Sequence, residues 1–519
     1  MRFPLLFRRL FVLAALVGAV GGGAATPLAA AAQGRASEDP AGVLRAIIAS
    51  RRHRVQRWPR LDDVAADLQR AYTRAAWTPL WLRDGQPTPA ALAVIAELER
   101  VTARGLDPRD YDAGALRTRA ARLAVPPVWP ATAAAAAALD TAQAAFDVML
   151  STASLRVLHA LQHGRVSPGV IHPSLRLSHE PWDAVDALGE LAASTDAVGL
   201  FDAAEPPYAH YRALKAVLVR FRALEDDTVR LRAVLRDSTR TSHTPEGLPV
   251  LRRRLAARLR TLELSLERWR WLPHRFSAPP IIVNIPAFRL YAFTDVQDRP
   301  QEVLAMDVVV GQAYDHKTPV FSDVMQYLVF SPYWDVPPSI ARKELLPKAR
   351  RDPEYLPRNE YEIVTDDEQV LPHGASSIAA VAAGRARIRQ RPGAKNALGG
   401  VKFIFPNAFN VYMHDTPTTS VFAQARRDLS HGCIRLAEPA RLAALVLRGQ
   451  AGWDSTRIAT DMHREMPLRV PLATPVPVHI LYVTAMAQPD GRVTFYDDLY
   501  HHDRTLDREL ARGYPYRTR

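Results

Sequence analysis

Cysteine is almost absent from this chain of 519 residues, in which Cys433 is the single example. One thiol cannot form an intrachain disulfide, and it cannot supply the paired cysteines of a structural zinc site. The sequence also lacks a glycine-rich phosphate loop, a run of metal-ligand residues and an internal repeat. We therefore expect neither a metal nor an organic cofactor.

Long blocks of basic residues are missing as well, although the formal net charge is +13 and a short basic segment lies at Arg252-Arg253-Arg254. The excess comes from arginines scattered through an alanine-rich sequence, without a Lys/Arg block or an RNA-binding motif. This pattern argues against nucleic acid as a partner. It fits either a basic surface that faces another anionic polymer or a coding bias toward alanine and arginine.

Long apolar runs are confined to the N-terminus. Three arginines in the first nine residues precede an apolar run from Leu10 to Val20, and Ala30-Ala31-Ala32 offers an A-x-A cleavage site. Residues 1–32 therefore read as a secretory signal peptide, and an uncleaved membrane anchor is the alternative. No later segment is expected to span a bilayer. We expect the mature protein in a periplasm, with no membrane contact except through an uncleaved signal segment.

The length and the local patterns predict an α+β multidomain fold, because a single core stops growing at about 250 to 300 residues. Residues 42–237 show helical periodicity and alanine-rich stretches, which predict an all-α domain. Residues 276–500 contain β-rich runs bounded by turn residues, which predict a mostly β, sandwich-like domain. Residues 238–275 are interpreted as a linker and residues 501–519 as a C-terminal tail.

Two segments of this layout have alternative interpretations. Residues 339–384 are charged and helix-like and do not fit a sheet, so they form either a lid inserted over the site or simple surface decoration. Trp269 and Trp271 end the predicted linker helix. They either dock this helix onto the next domain or bind a glycan, and we favour docking.

The one cysteine lies in the stretch Ser430-His431-Gly432-Cys433-Ile434-Arg435. An odd cysteine in an exported chain indicates a reactive thiol or intermolecular pairing, whereas a small buried hydrophobic residue is the structural alternative. A neighbouring imidazole activates a thiol as a nucleophile. His431, two residues away, and His414, at the end of a predicted strand over 409–414, are both candidates for this base.

Other residues of this stretch also suit acyl transfer. Gly432 permits close approach of the backbone, and the amides of Gly432 and Cys433 are candidate donors to an oxyanion. Arg435 suits either a substrate carboxylate or an Asp or Glu partner within the protein. Together these residues favour cysteine acyl-transfer chemistry.

At these residues the chain resembles the L,D-transpeptidase family of bacterial cell-wall enzymes, which has a YkuD-type catalytic domain. The family signature is a histidine followed further along by Ser/Thr-His-Gly-Cys, an apolar residue and Asn or Arg. The similarity extends to the large periplasmic branch, which carries a helical scaffold domain. The supporting motifs are Pro79-Leu80-Trp81, Gly105-Leu106-Asp107-Pro108, Thr318-Pro319-Val320-Phe321, Tyr333-Trp334-Asp335-Val336-Pro337, Lys402-Phe403-Ile404-Phe405-Pro406-Asn407 and Tyr412-Met413-His414-Asp415-Thr416-Pro417.

The resemblance implies peptidoglycan stem peptides as partners, namely a donor tetrapeptide and an acceptor stem. Cys433 is then the nucleophile that attacks the amide between diaminopimelate at position three and D-Ala at position four, and His414 is the general base. The resulting thioester passes to the amine of the acceptor stem and gives a 3-3 cross-link in cell wall biogenesis. Transfer to water or to a protein lysine is the alternative, as an L,D-carboxypeptidase, an endopeptidase or a protein anchor. A wall-binding factor without activity is a further alternative.

The resemblance also implies an oxyanion and substrate pocket around the cysteine. Asp415 is expected to form a turn rather than to orient His414. The chain departs from the family in one respect: only a short segment, about 247–261, occupies the place where relatives carry a small peptidoglycan-binding domain. Because this segment is too short for that domain, the scaffold, the lid and the basic surface are expected to recruit the substrate. The residues that the resemblance assigns to the pocket are His431, Gly432, Arg435, Tyr412 and Ser430.

Overall fold

The described part of the chain divides into helices followed by a mostly β region, which confirms the expected fold class. The predicted signal peptide, residues 1–32, and the start of the predicted linker, residues 238–247, lie outside the described residues. The computed structural model describes residues 40–125, 132–224, 229–230, 233, 248–294 and 303–516.

Helices form nearly all of the N-terminal region. They are α1 Pro40–Ala49, α2 Ala65–Arg74, α3 Pro89–Glu99, α4 Ala113–Leu123, α5 Ala133–His163, α6 Pro168–Ile171, α7 Ala184–Ala193, α8 Ala197–Ala203 and α9 Ala209–Arg222, with 3-10 turns Val101–Arg104 and Pro108–Tyr111 and a hairpin of β1 Leu82–Arg83 and β2 Gln86–Pro87. The Thr132 hydroxyl caps α5 by accepting from the Ala135 amide at 3.2 Å, and Gly164 ends it at φ +79°. Because α1, α2, α3, α4 and α7 all pack on α5, the domain core forms around this helix.

By length and composition, α5 is long and apolar enough to cross a membrane, contrary to the expectation for segments after the N-terminus. In the fold, however, 89% of its most apolar window is buried inside the protein. Asp147 in this helix is fully buried and accepts hydrogen bonds from the Tyr72 hydroxyl at 2.6 Å and the Trp81 amide at 2.8 Å. Such satisfied buried polar groups are typical of a core helix, which is the role of α5 here.

The linker helix α10, Leu248–Trp269, joins the two regions and carries a buried charge cluster at its end. Glu267 is 0% exposed and accepts hydrogen bonds from the Arg165 guanidinium and the Val166 amide, both at 3.1 Å. Trp269 and Trp271 are 7% and 2% exposed, and the Trp271 indole donates to the Val166 carbonyl at 2.9 Å. Both tryptophans also belong to an apolar cluster that contains Val320 and Leu481 of the β region, so they pack the helix end between the two regions and are not free to bind a glycan.

The C-terminal region is built on one large sheet. Its strands are β3 Ile281–Asn284, β4 Arg289–Phe293, β5 Val303–Gly311, β6 Phe321–Phe330, β7 Trp334–Asp335, β8 Tyr361–Val364, β9 Val370–Leu371, β10 Arg387–Gln390, β11 Val401–Ile404, β12 Met413–His414, β13 Asp428–Ser430, β14 Ile434–Leu436, β15 Leu468–Leu481, β16 Ala485–Ala487 and β17 Val493–Phe495. The nine strands of the main sheet follow the order β13-β5-β14-β12-β11-β6-β15-β3-β4. Because β4 also pairs with β5, the expected sandwich-like packing takes the form of a sheet that closes on itself.

The remaining helices lie around this sheet and in the insertion. They are α11 Pro338–Ile340, α12 Leu346–Arg351, α13 Tyr355–Arg358, α14 Ala375–Ala382, α15 Pro439–Val446, α16 Ser455–Asp461 and α17 His502–Leu510, with a π-helical turn Ala341–Leu345 and a 3-10 turn Thr419–Ala423.

The prediction that residues 339–384 stay outside any sheet is wrong. β8 and β9 pair with each other, and β8 also pairs with β10, which pairs with β7. This small sheet has its own apolar core, in which Ile363 and Ile388 are 0% exposed. Sequence periodicity did not predict these strands, because β8 and β9 are only four and two residues long and charged turns surround them.

The segment predicted as a C-terminal tail is part of the folded protein. Arg268 of α10 forms an ion pair with Asp503 of α17. Further on, the Tyr514 hydroxyl lies 3.2 Å from that of Tyr111 in the helical region. The C-terminal segment therefore connects to both regions.

We predict that Glu267→Gln lowers the free energy of unfolding by about 3 to 5 kcal/mol, because Arg165 and Arg270 stay buried without the carboxylate that neutralises them. Urea unfolding followed by tryptophan fluorescence measures the change. Asp490→Asn, which breaks an exposed ion pair with Arg492, is the control and should leave the midpoint unchanged. An unchanged midpoint for Glu267→Gln would contradict the importance of the buried cluster.

Candidate active site

Three neighbouring strands place a lysine, a histidine and an arginine in one row. Lys402 of β11 lies opposite His414 of β12, and His414 lies beside Arg435 of β14. Phe403 and Met413, adjacent to them in sequence, are 0% exposed and face the core, so the row lies on the other face of the sheet. We call Lys402, His414 and Arg435 the site row.

Cys433 immediately precedes β14 and lies next to this row. The Ile434 amide donates to the Tyr412 carbonyl at 3.0 Å, which sets Tyr412 opposite Cys433 and makes His414 a diagonal neighbour of the cysteine. The Cys433 side chain is half-buried, and its sulfur lies 3.7 Å from the Asn410 carbonyl oxygen. The fold thus brings the cysteine beside the site row.

The strand predicted over 409–414 is shorter than expected, since only Met413 and His414 pair. Asn410 adopts a left-handed φ of +54°, which interrupts an extended chain. The Asn407 carboxamide oxygen holds the preceding loop by accepting from the Phe409 amide at 3.0 Å. This local side-chain bonding replaces sheet pairing before residue 413.

Burial raises the pKa of the Cys433 thiol, and hydrogen bonding by Tyr412 together with the charges of Arg435 and Lys402 only partly opposes this rise. Since a free thiol already has a pKa of about 8.5, Cys433 is protonated at neutral pH. Its conversion to a nucleophile therefore needs a base at the moment of attack.

His414 has the form of such a base. Its Nδ1 lies 2.5 Å from the Asp415 carbonyl oxygen, a contact that fixes the proton on Nδ1 and leaves Nε2 free to accept. Burial lowers the pKa of His414 to about 3, with further lowering by the charges of Arg435 and Lys402. The imidazole is therefore neutral across the physiological range.

Asp415 supports this site through its backbone rather than its carboxylate. The carboxylate accepts from the Gly400 amide at 2.8 Å and from the Thr416 amide at 2.7 Å, which is the turn that the sequence predicts. Orientation of His414 comes from the Asp415 carbonyl oxygen, which the sequence pattern did not indicate.

His431 contacts the insertion. Its Nε2 lies 2.6 Å from a carboxylate oxygen of Glu344 in the π-helical turn, and its ring centroid is 4.7 Å from that of His316. Gly432, at φ +116°, turns the chain between His431 and Cys433, so the segment is not extended as a shared face requires. The geometry favours His414 as the base and gives the insertion a direct contact with the cysteine loop.

Ser430 and Thr318 hold the cysteine loop in place. The Ser430 hydroxyl donates to the Cys433 carbonyl at 2.5 Å and accepts from the Gly432 amide at 3.1 Å, while the Thr318 hydroxyl donates to the Gly432 carbonyl at 2.8 Å. Of the two amides expected to bind an oxyanion, that of Gly432 is thus occupied. Within the described part of the chain nothing accepts from the Cys433 amide, which suits the oxyanion role.

The sequence analysis missed two residues behind this loop. Thr318 is 1% exposed, and its hydroxyl accepts from the Gly311 amide at 2.8 Å. The Tyr500 hydroxyl donates to the Gly311 carbonyl at 2.5 Å. Thr318 belonged to a family motif and offered a signal, whereas nothing in the sequence connects Tyr500 with the cysteine.

Tyr412 and Arg435 complete the surroundings of the thiol. Burial and then Cys433 raise the pKa of Tyr412 far above its ordinary value, so its phenol remains a donor. Among the described residues no ion pair or hydrogen bond engages the Arg435 guanidinium, so the alternative of an Asp or Glu partner is not observed. The described residues also contain no group of three or more His, Cys, Asp or Glu side chains placed to hold a metal ion.

A half-buried cysteine lies beside a neutral histidine on the face of a closed β-sheet, and a helical region precedes this sheet. This combination defines the class of domain for comparison with known proteins. Residues 279–478 match the model of the L,D-transpeptidase catalytic domain, and residues 66–218 match that of the scaffold domain. The site row and the cysteine loop lie within the first match.

The chain is also similar to a protein of Haemophilus influenzae named "Putative L,D-transpeptidase", with 30% identity over 247 residues. The matched segment is 47% of this chain and 48% of that relative, so the chain matches about half the length of the curated relative. The C-terminal region of this chain is thus similar to the L,D-transpeptidase catalytic domain, and the helical region before it is similar to the scaffold domain.

We predict that iodoacetamide modifies Cys433 slowly at pH 7 and ever faster up to and beyond pH 9, because the buried thiol is protonated and only the thiolate reacts. Intact mass spectrometry against pH measures the rate. Cys433→Ala, which has no thiol, is the blank. A rate that levels off below pH 7 would instead indicate a preformed ion pair between thiolate and imidazolium.

Proposed function

We propose that this protein is a peptidoglycan L,D-transpeptidase that forms 3-3 cross-links in the cell envelope. The observation that carries the proposal is the geometry of Cys433 and His414: a protonated thiol with an unengaged backbone amide lies diagonal to a neutral imidazole whose Nε2 is free. The match of the surrounding residues to the L,D-transpeptidase catalytic domain supports the substrate class.

In the acylation step His414 Nε2 takes the thiol proton while the Cys433 sulfur attacks the carbonyl carbon between diaminopimelate and D-Ala. The Cys433 amide donates to the oxyanion of the tetrahedral intermediate. The C–N bond then breaks, and the proton on Nε2 passes to the leaving nitrogen of D-Ala. A thioester on Cys433 remains, and free D-alanine departs.

In the second step the side-chain amine of an acceptor stem attacks the thioester carbonyl. His414 takes a proton from this amine and returns it to the departing sulfur, which regenerates the thiol and leaves an amide between two stems. Since both steps move one proton through one nitrogen, the Asp415 carbonyl that fixes Nδ1 contributes to each.

The low pKa of His414 is compatible with this role. An imidazolium in the free site would meet the charges of Lys402 and Arg435, whereas an imidazolium formed together with the Cys433 thiolate has an opposite charge beside it. The two cations also favour the thiolate and the oxyanion. Charge separation in this site thus occurs during the reaction and not before it.

The same thioester reacts with water in an L,D-carboxypeptidase or endopeptidase and with a lysine in a protein anchor. The identity of the product therefore shows which acceptor is used.

We propose that residues 1–32 are the signal peptide of a periplasmic enzyme and that the insertion at 339–384 acts as a lid. The contact of Glu344 with His431 supports the lid, because it joins the insertion to the cysteine loop. The helical region acts as the scaffold.

We predict that the purified protein converts disaccharide-tetrapeptide into 3-3 dimers with release of D-alanine. Mass spectrometry of the products separates this from hydrolysis, which gives tripeptide alone, and from a binding factor, which gives no turnover. Cys433→Ala abolishes activity, and His414→Ala slows it by about 10²- to 10⁴-fold. The control His373→Ala changes an exposed histidine of the insertion and keeps full activity. Full activity of Cys433→Ala would refute the mechanism.

We further predict that kcat/KM for the tetrapeptide shows no inflection at a pKa of about 6.5, the ordinary value for histidine. Because burial lowers the pKa of His414 to about 3, the base stays unprotonated as the pH falls, and its activity is lost only in strong acid. Initial rates of D-alanine release between pH 4 and 8 test this. An acid limb centred near neutrality would show that the free site holds a protonated histidine.

A further inference from the structure

Lys402 and Arg435, at the two ends of the site row, are half-buried cations without a partner in the described part of the chain. Neither forms an ion pair or a hydrogen bond there, and burial lowers the pKa of both. The more deeply buried Arg156 differs, since it is paired with Asp63 at 2.8 Å. An unpaired charge that is partly withdrawn from water is costly, so the pair indicates an anionic ligand.

The carboxylate that most stabilises the charge of Lys402 already forms an ion pair with another residue. Asp335 of β7 raises the pKa of Lys402 against the larger effect of burial, but its ion pair is with Arg387, at 3.2 Å. The Tyr412 ring also lies near the ammonium group, with its centroid 5.8 Å from Nζ. The aromatic face therefore holds the ammonium group on the side of the sheet that carries the thiol. Its N–H groups remain available to donate hydrogen bonds to a ligand.

The proposed reaction indicates which anionic group of the substrate lies near Lys402 and Arg435. The nitrogen that receives a proton from His414 belongs to D-Ala, and its carboxylate carbon is two bonds away, about 2.5 Å. Lys402 and Arg435 occupy the strands on either side of His414, and neighbouring strands are about 4.8 Å apart. A carboxylate attached to that nitrogen is thus within reach of the lysine and arginine side chains that flank His414.

We propose that Lys402 and Arg435 form a subsite for the terminal carboxylate of the donor stem, with Lys402 as a residue that selects the substrate. The inference rests on the proposed function. The subsite favours a donor that ends one residue after the scissile bond, because an additional residue moves the terminal carboxylate about 3.5 Å farther along the chain. It also places the substrate's own charge beside the imidazolium that forms on His414.

A more general role for Lys402 predicts something different. If the ammonium group only stabilised the Cys433 thiolate or kept His414 neutral, its removal would slow the reaction of every donor to the same degree. A carboxylate subsite instead couples the lysine to one functional group of the substrate. The coupling is measured with a cycle of two enzymes and two substrates.

The test compares acylation of Cys433 by a stem tetrapeptide with acylation by its D-alaninamide form, followed by intact mass spectrometry. We expect the wild type to prefer the free carboxylate by about 10- to 100-fold, the range for a hydrogen bond to a charged group. Lys402→Met should slow both substrates, because the charge beside Cys433 is lost, but it should slow the free acid about 10-fold or more beyond the amide and so remove most of the preference. Lys402→Arg should restore much of it.

Three controls assign the effect. Lys348→Met removes the same charge from an exposed position of the insertion and should leave the preference intact. Amidation of the diaminopimelate carboxylate should leave the Lys402 effect intact. Thermal melting should show Lys402→Met folded, because the lost charge has no partner in the described chain.

Equal slowing of both substrates in Lys402→Met, or no slowing, would overturn the subsite, as would an effect that follows the diaminopimelate carboxylate. A wild type that acylates both substrates at the same rate also overturns the subsite and leaves the proposed function standing. A wild type that fails to acylate with the free acid overturns the proposed function and the subsite together.

Discussion

The parallel pairing of two residues in β12 with two in β14 is the constraint on which the candidate active site depends. Cys433 and His414 are separated by nineteen positions (433 − 414), and only this pairing makes them neighbours. β5 stabilises it, because β13 and β14 both pair with β5 on either side of the cysteine loop. The loop is thus a tight connection between two strands that share one partner, and Gly432 supplies the positive φ that such a connection requires.

Burial then determines the chemistry that this constraint makes possible. It raises the pKa of Cys433 and lowers that of His414, so both groups are neutral at rest. A protonated thiol reacts slowly with oxidants, because oxidation follows thiolate character. For an enzyme proposed to act outside the cytoplasm, this arrangement protects the only cysteine until a substrate is bound.

The sequence identified the parts of the site that lie in one short stretch. Cys433, Gly432 and Ser430 follow from the motif, and His414 follows from the family resemblance, because spacing alone left His431 as an equal candidate. The distinction between the two histidines depends on a bend at Gly432 and on strand pairing, neither of which periodicity reveals. Lys402 was quoted within a motif, but its place opposite His414 is a matter of register between strands.

The fold was predictable at the level of its two regions for a similar reason. Helical periodicity and β-rich runs are local properties, so the fold class follows from them. The closure of the sheet through β4 and β5 and the small sheet of the insertion depend on contacts between distant strands. The docking of α17 has no local signal at all, which is why residues 501–519 read as a tail.

The linker helix α10 also connects to the candidate active site. Arg268, at the end of α10, lies 5.4 Å from the centroid of the Tyr482 ring, and the Tyr482 hydroxyl accepts from the Tyr500 amide at 2.8 Å. The Tyr500 hydroxyl in turn binds Gly311, behind the loop that Thr318 holds. Since each of these contacts is buried or half-buried, α10 and the cysteine loop belong to one packed structure. The linker helix is therefore a structural support of the candidate active site and not only a connection between the two regions.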